Sequence, residues 1–257
     1  MPVVAALTDG RTGLAALRRA LPRGAGRVVA CRTLEQVRAV LGRRLSDAVV
    51  VSPRAAPLPG LIALARDFPA VPIICYAAFR PDDGDLLHAV ATTLRAPVAV
   101  EGVDDAMLGD LVARTGASAE RRRALADAPR LLRFRTQLQR DVWLQILALA
   151  HAPVRAGALA KKLGVSREHL SREFALEAAP NLKRVIDLAR VATAAHLLQN
   201  PGFTAATAAR MLGFASASHL GSTARRVAGT SNKGLVDLGP RGVLVAFARG
   251  GRTRSRV

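Results

Sequence analysis

Apolar residues in the first half of the chain fall into short, nearly continuous runs that alternate with segments of helical spacing. The runs are four to six residues long, which is typical of strands. They predict five strands, at 3–7, 27–30, 47–51, 71–76 and 97–100. Helices are predicted between and after them, at 13–21, 33–44, 58–67, 82–94 and 104–114. Strands that are apolar throughout are buried on both faces, so the pattern indicates a flavodoxin-like α/β fold with a five-stranded parallel sheet.

The second half of the chain shows helical spacing and no strand-like runs. One amphipathic helix is predicted over 136–151, because its apolar residues recur on a single face. A longer helix is predicted from Leu182 to Leu198, and Asn200-Pro201-Gly202 ends it. The second half is therefore expected to be an all-α domain.

Two short helices joined by a tight turn are predicted at 159–174, a segment called here the first helix pair. Gly164 stands where the chain must turn, and Ser166 is placed to cap the second of the two helices. The outer face of that second helix is polar and mostly basic, with Arg167, Glu168, His169, Ser171 and Arg172. Such a face on the second helix of a helix-turn-helix suits the major groove of DNA, and an ordinary helical hairpin is the alternative.

A second helix pair, at 204–226, repeats the first one about 49 residues later. The Ala-x-x-x-Gly spacing recurs at Ala209 and Gly213, and Leu220 repeats Leu170 as the inward anchor. The polar residues of this pair that we expect to contact DNA are Ser216, Ser218, His219, Ser222, Arg225 and Arg226. The long helix between the pairs is about 25 Å long, a suitable spacer for two major grooves about 34 Å apart.

The region 136–238 resembles the DNA-binding domain of AraC/XylS-type transcription regulators. The resemblance is carried by LAKKLGVSREHLSREF (159–174), Arg190-Val191 … Ala194 … Leu197-Leu198, and Ala209 … Leu212-Gly213-Phe214 … Ser218 … Leu220. It implies seven helices, a cytoplasmic location and sequence-specific binding to promoter DNA. By the family pattern, the groove-facing residues are Glu168, Ser171 and Arg172 in the first pair and Ala217, Ser218, His219, Gly221 and Ser222 in the second.

The second helix pair departs from the family pattern. Ser222 stands where the family has Arg or Lys, and Ala224 where it has Phe. Gly221 lies inside the recognition helix, where Gly costs about 0.5–1 kcal/mol relative to Ala. The second pair is therefore expected to be less rigid and to make fewer contacts with bases. The first pair is expected to supply most of the specificity, through Arg172 above all.

The order and spacing of the N-terminal elements resemble the receiver domain of bacterial response regulators in layout. Receivers carry acids after strand one, a phosphorylated Asp at the end of strand three, a Ser or Thr after strand four and a Lys after strand five. At those positions this chain has Asp9, Ser52, Ala77 and Glu101. Without the acceptor Asp and the carboxylate cluster, neither an aspartyl phosphate nor bound Mg²⁺ is expected. The resemblance thus implies a pseudo-receiver.

Charge is divided unequally along the chain. Residues 1–120 hold 14 Lys and Arg against 12 Asp and Glu, a net +2, whereas residues 121–257 hold 24 against 7, a net +17. A polyanionic partner is the natural explanation for this asymmetry. Arg225 and Arg226 are expected to contact the DNA backbone, with a solvated helix face as the alternative.

Residues that could carry other chemistry are few. Cys31 and Cys75 lie far apart, and no cluster of His and Cys has the spacing of a metal site. Neither a dinucleotide-binding nor a phosphate-binding glycine loop is present, so no enzymatic activity, cofactor or metal is expected. The chain shows no signal peptide and no stretch of about 18 apolar residues that would span a membrane.

The sequence thus predicts a bacterial transcription regulator with four segments. They are a receiver-like domain at 1–115, a linker at 116–135, an AraC-type DNA-binding domain at 136–238 and a basic tail at 239–257. The tail contains an apolar run at 243–248, and its arginine-rich end is expected to be disordered. The expected partners are double-stranded DNA and, through the N-terminal domain, a second copy of the chain or another protein. The alternative is a scaffold or anti-regulator that holds nucleic acid only by charge.

Overall fold

The computed structural model describes residues 3–21, 26–149, 154–175 and 179–253. The chain divides into two compact units. The N-terminal unit comprises Met1–Glu120 with Asn200–Gly202, and the C-terminal unit comprises Arg121–Gln199 with Phe203–Val257.

A five-stranded parallel sheet forms the centre of the N-terminal unit. The strands are β1 (Val3–Leu7), β2 (Arg27–Ala30), β3 (Ser46–Val51), β4 (Ile73–Ala77) and β5 (Val98–Val100). They lie in the order β2-β1-β3-β4-β5, which is the order of flavodoxin-like folds. Every residue of β1, β3 and β4 is buried, whereas the edge strands β2 and β5 each have exposed residues. The predicted fold class is confirmed.

Helices alternate with these strands. They are α1 (Arg11–Ala20), α2 (Leu34–Arg43), α3 (Leu58–Asp67), α4 (Gly84–Ala89), which continues as one π turn at Val90–Leu94, and α5 (Leu108–Thr115). Short 3₁₀ turns at Pro81–Asp83 and Asp105–Met107 precede α4 and α5. The predicted cap of α2 is present, because the Thr33 hydroxyl accepts a hydrogen bond from the Gln36 N–H at 3.2 Å.

The segment 116–135, expected to be a linker, contains two helices, α6 (Ala117–Ala124) and α7 (Ala128–Leu131). The start of α6 is tied to the sheet. The Asp47 carboxylate accepts hydrogen bonds from the N–H and the hydroxyl of Ser118, at 3.0 and 2.8 Å. The buried acid Asp47 therefore helps to order the start of this segment. Because Asp47 lies far away in the sequence, the segment's own sequence does not show this contact.

The C-terminal unit is helical throughout its described part. After α7 it contains α8 (Gln137–Ala148), α9 (Ala156–Leu163), α10 (Arg167–Glu173), α11 (Leu182–Leu198), α12 (Ala205–Met211), α13 (Ala217–Ala228) and α14 (Gly234–Thr253). The long helix α11 packs against α8, α12, α13 and α14, and most of its residues are buried. It is therefore the core of the unit as well as a spacer. The end predicted for α8, at 150–151, lies outside the described residues.

The tail is helical as far as residue 253, because residues 239–253 belong to α14, so the expected disorder of its arginine-rich end is wrong for residues 249–253. Gly239, with φ +57°, and Pro240 kink this helix, and the part beyond the kink buries Val243, Leu244 and Phe247. These three apolar residues share one helix face, so their burial holds the segment in place. Arg254 and Arg256 lie outside the described residues. None of the helices in the described ranges combines the length and apolar character needed to cross a membrane.

Candidate nucleic-acid interface

The turn between α9 and α10 is closed by local bonds. Gly164 adopts the left-handed conformation, with φ +68°, and the Val165 N–H donates to the Ala160 carbonyl at 3.1 Å. The Ser166 hydroxyl then accepts from the His169 N–H at 3.0 Å and caps α10. The two residues that the sequence places at this turn therefore have the predicted roles.

The inner face of α10 is fixed by the segment before α8 and by α8 itself. Leu170 and Phe174 are buried, and the Phe174 ring meets the Phe134 ring edge to face at 5.8 Å between centroids. The Gln139 side-chain amide donates to the Glu173 carbonyl at 2.9 Å. These contacts hold a helix of only seven residues, which is too short to be stable alone.

The outer face of α10 carries all five residues predicted to contact DNA, namely Arg167, Glu168, His169, Ser171 and Arg172, and each is exposed. Within the described part of the chain, no hydrogen bond or ion pair occupies any of these five side chains. The structure thus brings two guanidinium groups, a carboxylate, an imidazole and a hydroxyl together on one open helix face.

The turn between α12 and α13 repeats the geometry of the first pair. Gly213 has φ +69°, and the Phe214 N–H donates to the Ala209 carbonyl at 2.8 Å. The Ser216 hydroxyl accepts from the His219 N–H at 3.0 Å. The segments that begin α10 and α13 therefore both read Ser-x-x-His-Leu, in which Ser is the cap and Leu is buried.

Polar side chains of the second pair are largely engaged within the protein. The His219 Nδ1 accepts a hydrogen bond from the Ala215 N–H at 3.3 Å. The Ser222 hydroxyl donates to the His219 carbonyl at 3.0 Å. Arg226 forms an ion pair with Asp187 at 2.8 Å. Ser218 and Arg225 are exposed, like the predicted contacts of the first pair.

Gly221 does not face outward, so its predicted place among the groove-facing residues is wrong. It is buried, and a Cβ at this position would lie 3.4 Å from the side-chain amide of Asn232. That amide donates to the Ala217 carbonyl at 2.9 Å, which fastens the loop after α13 to the start of the helix. The small residue permits this close approach, and α13 is continuous over its 12 residues.

Two residues of α11 that we did not predict as site residues position the second pair. The Arg190 guanidinium lies 3.9 Å from the Phe214 ring centroid and donates to the Leu212 carbonyl at 3.0 and 3.3 Å. Asp187 lies 3.8 Å from Arg190 and also pairs with Arg226. Burial lowers the pKa of Arg190, and the Asp187 carboxylate opposes that shift. The signal available in the sequence was Asp187, the one acidic residue of α11.

The carboxyl edge of the N-terminal sheet lacks the receiver chemistry. Ser52 stands in the acceptor position, is buried, and donates its hydroxyl proton to the Asp9 carboxylate at 2.6 Å. Burial raises the pKa of Glu101, and the nearby Asp105 and Asp9 carboxylates raise it further. The described residues contain no group of three or more His, Cys, Asp or Glu able to hold a metal ion.

Comparisons with known proteins give a family match in the second half of the chain. Residues 159–233 match a family model described as a helix-turn-helix domain. The full-length FixJ protein from B. japonicum is similar in its crystal structure, with 16% identity over 88% of this chain and 96% of that chain and a TM-score of 0.37. So low a TM-score does not establish a shared fold, and the strand order supports the receiver-like assignment instead. No curated protein matches the sequence of the chain.

Proposed function

We propose that the protein is a DNA-binding transcription regulator that recognises promoter DNA through two helix-turn-helix units, because residues 159–233 match a helix-turn-helix family model. The units are the first helix pair, α9 with α10, and the second helix pair, α12 with α13. The observation that carries this proposal is the repeated turn, with the same glycine conformation, the same backbone bond and the same serine cap. The proposal includes no enzymatic activity and no cofactor.

The first pair supplies most of the sequence specificity in this proposal. Arg172 is exposed on α10 and can donate two hydrogen bonds to the edge of a guanine, a contact worth about 1–3 kcal/mol. Glu168 and Ser171 lie on the same open face. In the second pair, by contrast, the Ser222 hydroxyl is bonded to the His219 carbonyl within α13, and the His219 imidazole to the Ala215 N–H just before that helix.

The second pair holds the DNA backbone more than it recognises bases. Arg225 is exposed and can reach a phosphate, whereas Arg226 shares its charge with Asp187. The net charge of +17 in residues 121–257 supplies the general attraction to DNA. A chain that binds the chromosome in this way works in the cytoplasm.

This division of labour between the two helix pairs is tested by measuring how tightly each of two alanine variants binds the same DNA site. R172A should weaken binding by about 5-fold to 150-fold, because it removes a bidentate base contact. S222A should change the affinity by less than about twofold, since its hydroxyl is bonded to the His219 carbonyl. If S222A weakens binding more than R172A does, the second pair carries the specificity.

The N-terminal unit serves as a protein-contact module in this proposal, for a second copy of the chain or another protein. Its support is a group of exposed apolar side chains near the edge strand β5, where Val103 is 76% and Met107 is 51% exposed. Replacing both by Asp should lower the sedimentation coefficient of the full chain if the contact is a homodimer. If the parent chain already sediments as a monomer, the contact is not a homodimer, and a different protein is the expected partner.

One observation favours a second candidate function, a scaffold or anti-regulator that holds nucleic acid by charge alone. The polar groups of α13 are mostly engaged internally, so base recognition rests on a single short helix. Equal affinity for random duplex and for promoter DNA would support this alternative.

A further inference from the structure

Glu168 is an acidic side chain within a basic recognition surface. It lies in the first turn of α10, and both the residue before it and the residue four positions after it are arginines. The other acid of α10, Glu173, accepts a hydrogen bond from the Thr136 hydroxyl and so has a partner within the protein. On a surface that approaches DNA, the phosphates repel an exposed carboxylate and lower the affinity. The general attraction to DNA therefore does not account for Glu168.

No group within the protein neutralises the Glu168 carboxylate. Glu168 and Arg172 stand at positions i and i+4 of one helix, the order in which an acid and a base pair most readily. Within the described part of the chain, however, neither side chain takes part in a hydrogen bond or an ion pair, and both are exposed. The carboxylate therefore meets DNA with both of its oxygens free to accept hydrogen bonds.

The edges of the bases in the major groove determine which contact a carboxylate makes there. Cytosine presents an amino group, which is a hydrogen-bond donor, and no acceptor of its own. The amino group of adenine stands beside the N7 acceptor, and guanine and thymine present acceptors. Because a carboxylate only accepts hydrogen bonds, it pairs best with cytosine and is repelled by the acceptors of the other bases.

Arg172 lies one helical turn beyond Glu168, about 6 Å further along the axis of α10 at 1.5 Å per residue. Stacked bases are about 3.4 Å apart, so the two side chains reach base pairs that lie within about two steps of each other. A guanidinium donates two hydrogen bonds to guanine, whereas the carboxylate accepts one from cytosine. The outer face of α10 thus carries the chemistry for two neighbouring G·C pairs.

The second helix pair lacks this combination of charges. Counted from the capping serine of each helix, the residues of α13 that correspond to Glu168 and Arg172 are Ser218 and Ser222. A hydroxyl both donates and accepts hydrogen bonds, so it suits more than one base. Of the two recognition helices, α10 is therefore the one that carries a charged group able to reject bases.

From these observations we propose that Glu168 is a specificity-determining residue that selects cytosine, within about two base steps of the guanine that Arg172 contacts. This role rests on the proposed function and adds the identity of a second base pair to it. The carboxylate contributes little affinity, because the phosphates repel it. It contributes discrimination, because a wrong base leaves it unpaired in the groove.

The test begins with the sequence that the full chain selects from a library of random duplexes. Duplexes with single base-pair changes in that sequence are then titrated with the parent, E168Q, R172A and the control variant D237N, at one salt concentration. R172A identifies the guanine, as the position where its preference is lost. Asp237 is an exposed acid on α14, so D237N removes one negative charge from the same unit outside both helix pairs.

The parent and D237N should prefer cytosine to adenine by about 5-fold to 150-fold at one position near that guanine. E168Q should prefer adenine at this position, because a glutamine amide pairs with adenine through two hydrogen bonds. Its preferences at the remaining positions should match those of the parent. E168A, which lacks a polar group there, should accept the four bases nearly alike and bind random duplex more tightly than the parent.

The assignment to Glu168 is overturned if E168Q and E168A keep the preferences of the parent at every position. It is also overturned if both variants weaken all duplexes equally, since a purely structural role would have that effect. If the parent selects no sequence from the library, the proposed function fails and this role fails with it. If the parent selects a sequence and R172A loses a guanine while E168Q changes no preference, this role alone fails.

Discussion

Asp187 determines how the second helix pair is held, because its carboxylate meets two arginines from different helices. Arg226 comes from α13 and Arg190 from α11, and Arg190 extends the contact to the turn before α13 through Leu212 and Phe214. Only 12% of the Asp187 side chain is exposed, so water replaces little of this interaction when the carboxylate is lost. A single acid thus links the core helix to a recognition helix.

Replacing Asp187 by Asn should lower the free energy of unfolding by about 1–3 kcal/mol, because two guanidinium groups lose their charged partner. Urea unfolding of the full chain measures this change. D237N is the matched control, since Asp237 is exposed on α14, and it should change the free energy by less than about 0.5 kcal/mol. Equal effects of D187N and D237N would show that the Asp187 contacts do not stabilise the unit.

Glu101 in the N-terminal unit should make stability depend on pH. Its pKa is raised in the folded protein, so the ionised form is disfavoured there and costs stability at every pH above the folded-state pKa. Replacing it by Gln should raise the midpoint of thermal unfolding at pH 7, and the gain should vanish in acid, where Glu101 is neutral in both states. E120Q, at an exposed glutamate, should show neither effect. A midpoint that falls at pH 7 in E101Q would contradict the assignment.

At the scale of elements, the two helix pairs were predictable because their signals are local. The turn glycine, the capping serine and the apolar anchor all lie within a dozen residues, and each has the predicted role. The burial of Gly221 was not predictable, since it depends on Asn232 beyond the end of α13. The helix at 239–253 was also missed, because a glycine-rich arginine segment suggests disorder until packing of Val243 and Phe247 is considered.

The turn of the first pair should be sensitive to a side chain at Gly164. A Cβ there would meet no atom within 4 Å, so the cost of G164A comes from the left-handed backbone alone, about 1 kcal/mol. G157A is the matched control in the same helix, α9, where the site is equally open and the backbone is helical. It should instead stabilise by up to about 1 kcal/mol. The free energy of unfolding of each variant is measured with denaturant. If G164A and G157A change it in the same direction, this explanation is ruled out.

At the scale of the whole molecule, the two units divide the chemistry as their charges suggest. The receiver-like unit is nearly neutral and lacks the residues for aspartyl phosphorylation, whereas the helical unit carries the basic charge. The fold class followed from the sequence, because nearly continuous apolar runs are typical of a parallel sheet covered on both faces, whereas the order of the strands came from the structure. The pairing of Asp187 with Arg226, 39 residues apart, could not follow from any local pattern.

A phosphoryl donor should not modify the N-terminal unit. Ser52 replaces the acceptor carboxylate, is buried and donates to Asp9, so no carboxylate at that position is available for attack on phosphorus. Intact mass spectrometry after incubation with acetyl phosphate and Mg²⁺ should show the unchanged mass of the chain. A mass increase of one phosphoryl group located at the carboxyl edge of the sheet would contradict the pseudo-receiver assignment.

Sequence-specific binding is the central claim, and a competition titration tests it most directly. A promoter duplex identified by mapping the bound DNA across the genome is compared with random duplex of the same length, at one fixed salt concentration. We expect the promoter to bind at least about 10³-fold more tightly, and R172A to remove a large part of that ratio. Equal affinity for the two duplexes would contradict the claim and leave a protein that holds DNA by charge alone.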